Sequence, residues 1–248
     1  EVARVGIRAH VTRQRASQAL LQLRANMHIF GQSLGHYLLA NTSYLNNDIR
    51  NAIITCDAYL ANIPPLETHN AHALMEGFRA WLLYQGDQPL QAEILMENLL
   101  FNCQPGYSID LQRYLTVPLI RLRIRRGDFV AARTLTEQLD ALAQDSGSAI
   151  FAAHATFEKI RLAYAKGNSS ELQQLAMQNS LDDKVRLALD TSRPMQWEAR
   201  ECWVLAGIIL HMQHEQFDKA RALAQQLLHL SVDYGYPIRF LSLNMCIA

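Results

Sequence analysis

The 248 residues carry 23 lysines and arginines against 23 aspartates and glutamates, a formal net charge of +0. No whole-chain basic field exists to draw the molecule onto nucleic acid or an anionic membrane, so bulk electrostatic binding of either is disfavoured. Hydrophobic residues make up 50%, while glycine and proline number 11 and 7, about 7% together against roughly 12% in average proteins, which favours helices and a large core over a turn-rich β fold.

In chain order, apolar residues recur at three- and four-residue spacing, as in Leu122, Val130, Leu135, Leu139 and Leu142, and sustained two-residue alternation is scarce. The punctuation runs Asn46-Asn47-Asp48, Asn62-Ile-Pro64-Pro65, Gly86-Asp87, Gln104-Pro-Gly106, Gly127-Asp128, Asp145-Ser-Gly147-Ser, Gly167-Asn168, Ser192-Arg-Pro194 and Tyr234-Gly235-Tyr-Pro237. Each supplies a residue tolerant of left-handed backbone, a proline or a capping side chain, and helices of roughly 15 to 20 residues are predicted between them. The class is all-α.

Aligning the pieces on these turns exposes a repeat, with Ala52, Ala92, Ala132 and Leu172 at intervals of 40 residues. Leu95, Leu135 and Leu175 follow in the helix after each turn, and Leu82, Leu122 and Leu162 in the helix before it. A further copy, Phe217-Asp-Lys-Ala220-Arg221-Ala-Leu223, matches Phe129-Val-Ala-Ala132-Arg133-Thr-Leu135 at a displacement of 88 rather than 80, placing some eight extra residues around Asn179 to Pro194. The unit is helix, tight turn, helix, and small residues such as Ala132 let neighbouring helices approach closely. The expected architecture is one domain over residues 1–248, a right-handed superhelix of about five antiparallel helix pairs of the tetratricopeptide type. Its concave face, lined by the first helix of each pair, is where binding is expected.

Cys56, Cys103, Cys202 and Cys246 form no C-x-x-C pair, which fits neither a zinc ribbon nor a compact disulfide framework; a reducing cytoplasm is expected. The apolar run Trp203-Val-Leu-Ala-Gly-Ile-Ile-Leu210 is far short of the roughly 18 residues of a membrane span. The chain opens on Glu1 without a methionine and stops within the apolar pattern Phe240 to Ala248, and is expected to be a piece of a longer protein.

The segments Leu122-Arg-Ile-Arg-Arg-Gly127-Asp-Phe-Val-Ala-Ala132-Arg-Thr-Leu and Ala206-Gly-Ile-Ile-Leu-His-Met-Gln-His-Glu-Gln-Phe217-Asp-Lys-Ala220-Arg-Ala-Leu resemble tetratricopeptide-like repeats of large LuxR-type, MalT-like transcriptional activators. Tyr234-Gly-Tyr-Pro-Ile-Arg-Phe-Leu-Ser-Leu is similar to the linker and helix that follow in that class. The resemblance spans roughly residues 45 to 248 and implies a superhelical sensor between an upstream ATP-binding module and a downstream helix-turn-helix reader. ATP and DNA are thereby implied only for those flanking parts. This sequence has no G-x-x-x-x-G-K-[ST]. The partner implied for the repeats is a small-molecule inducer or a regulatory protein, with transcription regulation as the output and no enzymatic role. The rival expectation is a constitutive helical-repeat scaffold that docks a peptide or protein.

Two His-x-x-His pairs, His69/His72 and His211/His214, have the spacing that puts two imidazoles on one helix face. Neither has an evident third ligand or an H-E-x-x-H setting, so no metal site is assigned and a helical hydrolase is the weakest alternative. No G-x-S-x-G or comparable nucleophile setting occurs, and no catalytic residue is assigned. Trp81, Tyr84, Tyr164, Trp197 and Trp203 suit either an aromatic ligand wall or ordinary packing; Trp203 shifts by 88 onto Leu115 and is expected in the core. Cys103 and Cys202 are expected to act as small buried hydrophobes.

Among Arg121, Arg123, Arg125 and Arg126, register selects Arg121, because Trp81, Arg121 and Arg161 occupy one equivalent position in successive units. Arg125 lies one turn along on the same face. Trp81, Arg121, Arg125 and Arg161 are the candidate ligand-binding residues of the concave face: guanidinium groups for carboxylate or phosphate, the indole for a ring or cation. The ordinary alternative is solvated arginines paired with nearby acids. Pro118 either kinks the helix before this cluster or marks a later helix start.

Overall fold

A computed structural model describes residues 29–46, 48–62, 69–102 and 109–234 of the chain. Cys103, Gln104-Pro-Gly106, Pro64-Pro65, Cys246 and the stretch after Tyr234 lie outside the described residues. Within these are eleven α-helices and no strand, as the periodicity predicted. In order they are α1 Ile29–Leu45, α2 Ile49–Asn62, α3 His69–Gln85, α4 Pro89–Phe101, α5 Ile109–Arg125, α6 Phe129–Ser146, α7 Ala149–Ala165, α8 Ser169–Gln178, α9 Leu181–Leu189, α10 Trp197–Gln213 and α11 Phe217–Tyr234. Five of the connections are the same tight turn, between α1 and α2, α3 and α4, α5 and α6, α7 and α8, and α10 and α11.

That turn has a definite chemistry. A residue just past the first helix takes left-handed backbone, with φ of 60° at Asp87, 74° at Gly127, 68° at Gly167 and 58° at Glu215. The next residue donates its N–H back five positions: Asp48 to Ser43 O (2.9 Å), Gln88 to Leu83 O (2.9 Å), Asp128 to Arg123 O (3.0 Å), Asn168 to Ala163 O (2.9 Å) and Gln216 to His211 O (2.8 Å). This is the Schellman closure, which satisfies a carbonyl left open at the helix end. The same residue then starts the second helix. The side chains of Asp48, Asp128 and Asn168 accept the N–H groups of Asn51, Ala131 and Glu171, each at 3.1 Å, a side-chain cap that fills an orphan donor. Gln88 makes no such cap, and Pro89 instead occupies the first turn, where its missing N–H is harmless.

Four residues after each cap stand Ala52, Ala92, Ala132, Leu172 and Ala220, all buried. The alignment by 40 therefore marks a physical slot: the first turn of the second helix, pressed against the helix before it. A second equivalent set, Met75, Leu115, Ala155 and Trp203, is buried throughout, and Trp203 belongs to the core as expected.

The chain divides into two compact units, Glu1–Pro118 and Leu119–Ala248, with the boundary inside α5. Pro118 is in that helix's interior rather than at its start. In the first unit α2 packs on both α1 and α3, and α3 on α4. Tyr37, Tyr44, Phe78, Trp81 and Tyr114 form its aromatic interior, with ring centroids 5.2 to 6.2 Å apart, and the Tyr37 and Tyr114 hydroxyls meet at 2.9 Å. In the second unit α7 packs on α6, α8 and α10, and α10 on α9 and α11.

The extra residues predicted near Asn179 to Pro194 appear as α9 and the loop after it, with α8 and α9 cut to 10 and 9 residues. Arg200, wholly buried, holds this insertion in place: its guanidinium donates to the carbonyls of Ala188, Asp190 and Arg193. Gly207 lets α9 lie close on α10, since a Cβ there would stand 2.8 Å from a Val185 methyl.

Two opposite outcomes test the turn. A Cβ at Gly127 would meet nothing within 4 Å, so Gly127→Ala should cost about 1 kcal/mol through backbone strain alone. Glu215→Gly should stabilise by about 0.5–1 kcal/mol, as glycine adopts that φ without strain. Urea denaturation reads both. At the slot itself, Ala132→Trp should cost about 1–3 kcal/mol or more by overpacking, and an unchanged melting temperature would refute the repeat register.

Candidate functional site

The arginines assigned from register divide by environment. Arg121 and Arg161 sit at equivalent positions on α5 and α7, and both turn toward Phe157, with guanidinium carbons 5.8 and 5.9 Å from its ring centroid. Their other partners differ. Arg121 places Nε 2.7 Å from Oε1 of Glu158, with side-chain exposures of 10% and 0%. Arg161 is half-buried and Arg125 exposed at the end of α5, and neither has an acidic partner among the described residues. Trp81 is in the first unit, buried against Tyr84 and Tyr114 at centroid distances of 6.1 and 6.0 Å.

The ordinary expectation for the cluster, solvated arginines next to acids, does not describe Arg121. Its carboxylate partner is removed from water, and Oε2 of Glu158 makes no hydrogen bond to a described residue. The guanidinium beside it offsets part of the cost of taking that carboxylate out of water. The cation also faces Phe157, so the ring supplies a second favourable surface.

Glu158 was not singled out from the sequence, although the register carried the signal. Its equivalents at 40-residue intervals are Phe78 and Pro118, both buried, so a glutamate here occupies an apolar slot. His154 and Cys202 were equally hidden as a pair. They are equivalent residues of α7 and α10 across the 48-residue interval of the insertion, and Nδ1 and Sγ meet at 3.4 Å in the core. Within the second unit, then, residues at equivalent repeat positions do come together. The other thiol described, Cys56, is pushed up to about 12 by burial, reinforced by the adjacent Asp57.

The remaining aromatics split as packing would have it: Trp197 and Trp203 are buried, Tyr84 is half-buried and Tyr164 exposed. His211 of α10 and His214 just past its end go separate ways, His211 Nδ1 to Gln216 Oε1 at 3.0 Å and His214 to Gln173 Nε2 at 3.4 Å. His72 Nδ1 lies 3.8 Å from Glu76 Oε2, and the side chain of His69 is outside the described residues. No group of three or more His, Cys, Asp or Glu placed to hold a metal occurs among the described residues, and no described helix is long and apolar enough to cross a membrane.

No family model, curated protein or solved structure matches the chain.

Breaking the buried pair from either side should be costly. Arg121→Ala and Glu158→Ala are each expected to lose about 3 kcal/mol, while the double replacement Arg121→Met/Glu158→Leu should recover most of that loss. Chemical denaturation of the three variants measures the difference; equal losses in single and double variants would show that the pair itself contributes little.

Proposed function

We propose that this chain is a non-enzymatic sensor domain of a LuxR-type, MalT-like transcriptional regulator in the cytoplasm, taking an anionic effector or a regulatory protein on the face formed by the first helices of its pairs. The observation that carries this reading is Arg161: a cation over Phe157 beside Arg121, with no acidic partner among the described residues. Arg121 is held by Glu158, which keeps it in place while leaving Arg161 and Arg125 for a carboxylate or phosphate. The resemblance of the 122–135 and 206–223 segments to MalT-like repeats supports the regulatory context. In that context ATP and operator DNA belong to flanking domains, and the repeats form a right-handed superhelix whose curvature the effector biases. An effector that binds one curvature better than another shifts the population between resting and active regulator, and its differential affinity sets the size of the switch.

A second reading is favoured by α4. Leu90, Ile94 and Phe101 are 67%, 59% and 91% exposed and fall on one stripe of that helix, the pattern of a surface that docks another protein. A constitutive scaffold would use this stripe without any small ligand.

Two measurements separate the readings. A phosphate-binding loop upstream and a helix-turn-helix downstream in the full reading frame select the regulator. For an anionic compound that raises the melting temperature of the chain, Arg161→Ala and Arg125→Ala should each weaken calorimetric affinity by about 1.5–3 kcal/mol, with folding nearly unchanged. Wild-type affinity in both variants would return these arginines to ordinary solvated surface.

A further inference from the structure

The repeat is broken once, and a groove opens where it breaks. It is open to solvent and has a volume of about 490 Å³ between α8, α9 and the end of α10, within the roughly 300–1,000 Å³ of small-molecule sites. Ala176, Leu181 and Leu210 give it an apolar lining, and Met177, 81% exposed, stands at its lip. Gln173 of α8 and His214, just past the end of α10, approach each other at 3.4 Å. Ser180 forms the corner in left-handed backbone, φ 48°, a strained conformation for a residue with a side chain.

The groove's carboxylates gather at the start of α9, with His214 across from them. Asp182 and Asp183 line it, and no lysine or arginine does. Asp183 shares an exposed contact with Arg186 at 2.9 Å. The start of α9 supplies about half a positive charge of its own. Asp182 makes no ion pair with a described residue, so beyond the helix start no cation offsets its charge beside the apolar pocket.

We propose that this groove binds a small organic cation with an apolar body, an alkyl- or arylalkyl-ammonium in chemical class: the ammonium at Asp182 and Asp183, the apolar body over Ala176, Leu181 and Met177. This site is separate from the arginine face, which has the opposite charge preference. Failure of either leaves the other standing.

The whole 248-residue chain, labelled with ¹³C at the methionine methyls, tests the proposal with three probes of one shape: 2-phenylethylamine, 2-phenylethanol and phenylacetate. Met177→Leu assigns the reporter signal. The expected result is a saturable Met177 shift with the amine at a Kd about threefold to fivefold below that of the alcohol, and weaker binding still for the carboxylate. Asp182→Asn/Asp183→Asn should bring the three probes within about twofold of each other. Equal Kd values in the wild type, or no Met177 shift with any probe, overturn the proposal without recourse to a variant. So does an amine preference that persists in the folded double variant. A lysine-rich peptide that shifts Met177 at concentrations tenfold below the amine would replace the small cation by a protein partner.

Discussion

Four of the helix pairs depend on one backbone angle, taken at Asp87, Gly127, Gly167 and Glu215. After the first helix a single residue turns left-handed, and only then can the next N–H reach back five positions and the second helix start against the first. The sequence meets this demand by different means. Gly127 and Gly167 adopt the angle freely, while Asp87 and Glu215 hold it against the preference of their side chains. Those strained positions persist because the following helix buries a small or apolar residue four places after the cap, at Ala92 and Ala220. Local strain is offset by packing a few residues away.

The same geometry explains how much could be read in advance. Turn residues, the 40-residue interval, the all-helical class, the buried alanines and the approximate place of the insertion are all local, one-dimensional signals, and they survive without coordinates. Arg121 and Arg161 were aligned by register and share the ring of Phe157. What register alone could not give is direction. Arg121 faces inward to Glu158, and Trp81 is packed among tyrosines of the other unit. A glutamate three residues before an arginine on a helix reads as solvated surface until its slot is compared with Phe78 and Pro118. The groove beside α9 was less legible still, since it arises from residues that belong to no repeat.

Charge gives the second unit a division of labour. In the interior, the carboxylate of Glu158 and the guanidinium of Arg200 are held by specific partners: an arginine on one oxygen of the first, three main-chain carbonyls for the second. Those contacts fix orientation more than they add stability, because charges removed from water regain little beyond their desolvation cost. Arg161, Arg125 and Asp182, by contrast, make no ion pair with a described residue. The arginine face and the groove thus differ in sign as well as in position.

The turns also dictate an order of assembly during synthesis. Each closes over five residues, so a helix pair can form soon after its second helix emerges, without waiting for distant chain. Folding dominated by such near-neighbour contacts is fast. The buried charges follow the same direction. Arg121 precedes Glu158, and His154 precedes Cys202, so each arriving helix meets its polar partner on a helix already made. Arg200 reaches back to Ala188, Asp190 and Arg193, so it closes the inserted loop as soon as α10 appears. A ribosome releasing this chain from its amino end therefore delivers the cation of the Arg121–Glu158 pair before the carboxylate that needs it.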